Sequence, residues 1–123
     1  MDHSNLATPK QRAAFNLKTK DGLINYIEHM TNRMVSVAKA KNADYTGSND
    51  DPFSNFTRVE ALGIASAEAG FLTRMTDKLC RINSFVQQGT LKVKDESVQD
   101  TLLDLANYSL LLCAYIESKK AQQ

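Results

Sequence analysis

Glu96–Tyr108 reads ESVQDTLLDLANY, and the apolar run Leu110–Ile116, LLLCAYI, follows it almost at once. On a helix, Glu96, Asp100, Asp104 and Asn107 fall within roughly 80° of one another, and Leu111 and Tyr115 continue the same line. A stripe of acids therefore runs into a face with the character of a core. A carboxylate turned inward is costly unless a cation, a metal or a ligand meets it. The run LLLCAYI is apolar nearly all round, the pattern of a central, buried helix. The spacing predicts a helix from about Glu96 to Ser118, and the lysines of the tail SKKAQQ suit its negative end.

Upstream, Phe71, Leu72, Met75, Leu79, Ile82 and Val86 share one broad arc of a long helix expected from about Ala65 to Gln88. Gly89 is its expected stop. Gly63 and Gly70 each weaken a helix by roughly 1 kcal/mol relative to alanine, so a short helix or turn is expected before the long one. The first long helix is expected over Asp21–Asn42, with Asp21 as its N-cap and Leu23, Ile27, Met30, Met34, Val37 and Ala38 at steps of three and four. Lys41 ends that stripe, which lets it point inward. The loop NADYTGSNDDPFSNF follows, rich in turn formers yet carrying Tyr45, Phe53 and Phe56. Such aromatics either anchor a loop or line a pocket. The fold expected is all-α: three main helices and a short one in a single domain, 19–123, after a loose basic arm, 1–18. A chain this small cannot cover an all-round apolar helix alone, so the bundle is expected to be completed by oligomerisation, as a dimer or higher.

The 123 residues carry 15 Lys and Arg against 14 Asp and Glu, a formal net charge of +1. That balance argues against nucleic acid as the main ligand. Cys80 and Cys113 sit in helix-like runs and read as a reduced intracellular pair. No stretch reads as a signal peptide or a membrane span, so a cytoplasmic protein is expected. His3 and His29 form no catalytic constellation, and His29 reads as solvated.

Arg74, Asp77, Lys78 and Arg81 lie within roughly 100° of one another along the edge of the apolar arc. A basic cluster with one acid suits phosphate groups. Equally, it suits a salt-bridge network with Glu96, Asp100 and Asp104. Glu68 falls inside the arc if the helix extends that far and points to solvent if Gly70 breaks it. Inward, it could join other acids around Mg²⁺, which takes oxygen ligands.

KNADYTG, DPFSNF, RMTDKLCRI and ESVQDTLLDLANYSLLL, in this order and spacing, resemble the nucleotide-modification-associated domain of many phages and some bacteria over about residues 37–117. That family is similar to the all-α MazG-type nucleotide pyrophosphohydrolases, whose helices pair across subunits into four-helix bundles. The resemblance implies a nucleotide ligand in a subunit-interface pocket. The ligand-binding candidates are Lys41, Asp44, Tyr45, Phe53, Asn55, Phe56, Arg74, Asp77, Lys78, Arg81, Asn107 and Tyr108. MazG-type enzymes hold Mg²⁺ with EExxE and ExxD motifs. Here Asp104 occupies the final Asp, Thr101 stands where the preceding Glu would be, and no EExxE is present. Glu96, Asp100 and Asp104 are the metal candidates that remain. Two functions follow as expectations. One is a protein that holds a nucleotide, including a signalling nucleotide of host immunity, without chemistry. The other is a metal-dependent pyrophosphohydrolase.

Overall fold

The computed structural model describes residues 15–46, 51–89 and 97–122, with the side chains of 42–46 outside the description. Four helices build it: α1 Lys20–Thr46, α2 Ser54–Ala61, α3 Ala67–Gln88 and α4 Val98–Ala121. The fold is all-α, three main helices and a short one, with no strand among the described residues. The chain divides after Ala40 into two compact units.

In the first unit the start of α1 is set by Thr19, not by Asp21. The Thr19 hydroxyl accepts from the Gly22 amide at 3.1 Å. Asp21 stands one residue too far on to cap and instead places its charge in the positive first turn. Phe15, assigned to the loose arm by sequence, packs edge-on against Tyr26 with ring centroids 5.5 Å apart and lies against His29 at 5.4 Å. His29 is therefore half-buried rather than solvated. Leu17 and Lys18, at the end of the arm, form a turn.

The second unit holds α2, α3 and α4. Helices α3 and α4 run antiparallel, because contacts that advance along one retreat along the other: Glu68 meets Lys119, Phe71 meets Tyr115, and Lys78 meets Asp104. Both helix starts are capped as the residue types dictate. The Ser66 hydroxyl accepts from Ala69 N, and Ser97 and Asp100 exchange hydrogen bonds in a capping box. At the other end of α3, Gly89 adopts φ +77° and closes the helix as expected.

The core is aromatic. Phe56 stacks on Phe71 at 3.8 Å and 11° and meets Tyr108 edge-on, while Phe53 meets Tyr115 edge-on at 5.4 Å. Gly70 lets α2 reach α3 at this point, since a Cβ there would stand 3.3 Å from Val59 Cγ2. Its cost in helix propensity is thus exchanged for close packing. Two expectations of burial are corrected. Phe71 is fully buried, but Leu72, Leu79 and Val86 of the same arc are exposed. Leu110, Cys113 and Ile116 of LLLCAYI are exposed as well. The arc on α3 and the apolar girth of α4 are wider than two neighbouring helices can cover.

Candidate ligand-binding site

One residue organises the site. Asp104 projects from the inward face of α4, in line with Thr101, Tyr108 and Tyr115, and is only 4% exposed. A buried carboxylate in an aromatic core demands counter-charge. It receives two. Lys41 Nζ lies 2.6 Å from one of its oxygens and Lys78 Nζ lies 3.2 Å from the other. The lysines come from different helices, α1 just after the unit boundary and the middle of α3. Their side chains keep 24% and 13% of their exposure. Two ammonium groups are thus held in fixed directions at the edge of the core, each partly open to solvent, where a charged donor makes strong hydrogen bonds to an anion.

The other basic residues are placed differently. Arg81 pairs with Asp77 at 3.5 Å, one turn apart on the more exposed side of α3. Arg74 is exposed, and no ion pair holds it among the described residues. Of the stripe Arg74, Asp77, Lys78 and Arg81, only Lys78 reaches the buried acid. Of the expected salt-bridge network, the Lys78–Asp104 pair is formed.

Asp100 is 1% exposed and exchanges hydrogen bonds with Ser97 in the capping box, at 3.2 and 3.1 Å. Its burial thus has a local structural account. Glu96 lies outside the described residues. Asp104 spends both oxygens on lysine, and no group of three His, Cys, Asp or Glu is disposed to hold a metal among the described residues. A cation at the Asp104 oxygens would stand beside two ammonium groups. Glu68 does not join Asp104. It sits in the first turn of α3 and binds Lys119 at 3.2 Å, with its side chain 42% exposed. A hydrogen bond from its own backbone, then the Lys119 ammonium, hold its carboxyl below the usual range, and the bond to Glu68 raises Lys119 in turn.

Among the candidate aromatics, Phe56 and Tyr108 are buried, with Phe56 clamped on Phe71 in the anchoring arrangement. Phe53 is half-buried against Tyr115, eleven residues along α4 from Asp104, and Asn55 and Asn107 are half-buried as well. The side chains of Asp44 and Tyr45 lie outside the described residues. Sequence reasoning missed the partners of two acids: Lys119, which holds Glu68, and Ser97, which caps α4 with Asp100. The signal for the second was legible, because SVQD is a Ser with an acid three residues on.

The family model of nucleotide modification associated domain 1 matches residues 41–116. That span begins at Lys41 and takes in Lys78 and Asp104. No curated protein and no solved structure matches the chain.

Proposed function

Because this chain belongs to the nucleotide modification associated domain 1 family, we propose that its nucleotide-related role is to bind a nucleotide through the phosphates at Lys41 and Lys78. The observation that carries the reading is Asp104, buried and bound by a lysine on each oxygen. It fixes the direction of both ammonium groups. A phosphate oxygen approaching them gains charge-assisted hydrogen bonds without the entropy cost of ordering two long side chains. Arg74, one turn before Lys78 at the exposed edge of α3, draws the anion in.

The chemistry of this site is to hold rather than to cleave. Asp104 is occupied by two lysines and Asp100 by the cap, which supports holding over cleavage. The fitting role is sequestration, including capture of a host signalling nucleotide during phage infection. The test is to incubate the full chain with a panel of linear and cyclic nucleotides, with and without Mg²⁺, and to analyse the nucleotide released by heat denaturation. Intact nucleotide recovered from the protein fraction supports sequestration. New phosphorylated products that depend on Mg²⁺ would replace it with pyrophosphohydrolysis, and no retention of any member of the panel would remove the proposal.

A further inference from the structure

Given phosphates at Lys41 and Lys78, on which this reading rests, we propose that Asn55 and Asn107 recognise an adenine base and that the ligand is an adenine nucleotide. Asn107 stands three residues after Asp104 on α4, about 60° around the helix and ~4.5 Å along it. Side chains so spaced rise from the helix about 5–6 Å apart. A pentose spans such a gap, with the phosphate at the lysines on one side and the base at Asn107 on the other.

Two helices supply the amides, and one aromatic contact joins those helices. Phe56 of α2 and Tyr108 of α4 meet edge-on with ring centroids 6.2 Å apart. Asn55 and Asn107 are the residues immediately before these rings. Both asparagines are half-buried, and among the described residues neither amide has a hydrogen-bond partner. Ser54, beside Asn55, is 3% exposed, and its hydroxyl is likewise without a partner among the described residues. A buried polar group that the fold leaves unmet costs free energy that an apolar residue would have spared. Three polar groups without a protein partner, beside two oriented cations and against an aromatic core, have the make-up of a small-molecule site.

Amide chemistry selects the base. A side-chain amide offers one donor and one acceptor side by side. Adenine presents the complementary pair on its Hoogsteen edge, the N6 donor beside the N7 acceptor, and again on its Watson–Crick edge. Two amides therefore engage one adenine from two sides. The Hoogsteen edge of guanine carries two acceptors, O6 and N7, which suit Arg or Lys instead. Cytosine and uracil carry their donors and acceptors along one edge only, so they satisfy one amide and leave the other unmet.

The test is calorimetric titration of the full chain with the 5′-monophosphates of adenosine, guanosine, cytidine and uridine. Two further probes are adenosine itself and 7-deazaadenosine 5′-monophosphate, which lacks the N7 acceptor. The adenosine nucleotide should bind about tenfold tighter than the other three or better, the low end of what one bidentate amide–base pair discriminates. Removing N7 should weaken binding. Asn55→Ala and Asn107→Ala, each shown to be folded by circular dichroism, should bring the adenosine nucleotide down towards the level of the others. Four nucleotides that bind alike, or an adenine preference that survives in both folded variants, overturn the proposal and leave the phosphate reading in place. If neither variant folds, the 7-deaza nucleotide decides, and affinity equal to the adenosine nucleotide's overturns the proposal. Adenosine that binds as tightly as its monophosphate removes the phosphate reading instead, and a chain that binds no nucleotide removes both.

Discussion

Asp104→Asn removes the one charge that joins three helices' worth of side chains while keeping their shape. At an effective dielectric of about 20, unit charges at the separations of Asp104 from Lys41 and Lys78, 2.6 and 3.2 Å, attract by about 5–6 kcal/mol each before desolvation. Against this stand the dehydration of a carboxylate only 4% exposed and the repulsion between the two lysines. Breaking a buried pair by removing one partner costs about 3–5 kcal/mol net. Here the lysines keep some access to water and regain part of their hydration, so the expected loss is about 2–4 kcal/mol. For a unit of this size each kcal/mol moves Tm by about 4–8 °C, which makes the expected fall at least about 8 °C. The assay is thermal unfolding followed by circular dichroism. A control replaces the whole cluster by apolar residues, Lys41→Met, Lys78→Met and Asp104→Leu together. It should melt above Asp104→Asn, because no charge is then left buried alone. If Asp104→Asn melts within a few degrees of the parent, Asp104 does not hold the lysines, and the electrostatic account of the site fails with it.

Lys78→Met leaves Asp104 still bound by Lys41 and removes one of the two phosphate donors, so nucleotide affinity should fall by roughly 1–3 kcal/mol, or about 5- to 150-fold; calorimetric titration reads it, and affinity equal to the parent's in a folded variant would make the cluster structural only. Phe56→Ala should cost about 3–5 kcal/mol in urea unfolding because it opens the stack on Phe71, and an unchanged midpoint would contradict its placement. Glu68→Gln tests the pair with Lys119: a carboxyl lowered in the folded state stabilises above its ordinary 4.5 and loses that contribution as pH falls through the folded value. Lys119, raised above its ordinary 10.5, loses its contribution as pH rises through the folded value. The variant's Tm should therefore fall less steeply than the parent's below pH 4.5 and above pH 10.5, and parallel profiles would show that the pair is silent.

The sequence by itself determined the number and kind of the helices, because that information is local. Periodicity in Phe71–Val86 and in LLLCAYI, and Gly89 as a stop, are each read within a few turns of chain. It also fixed that the acids of α4 face inward, since Asp100 and Asp104 stand in line with Tyr108 and Tyr115 whatever α4 packs against. Which cation meets which acid was decided only by tertiary structure. Lys41 and Asp104 are 63 residues apart in the chain, and their 2.6 Å contact follows from how α1 ends beside α4, which no spacing encodes. The same holds for the split of one apolar arc into buried Phe71 and exposed Leu72. A helix's hydrophobic face says that it must be covered, and the neighbours present decide how much of it is.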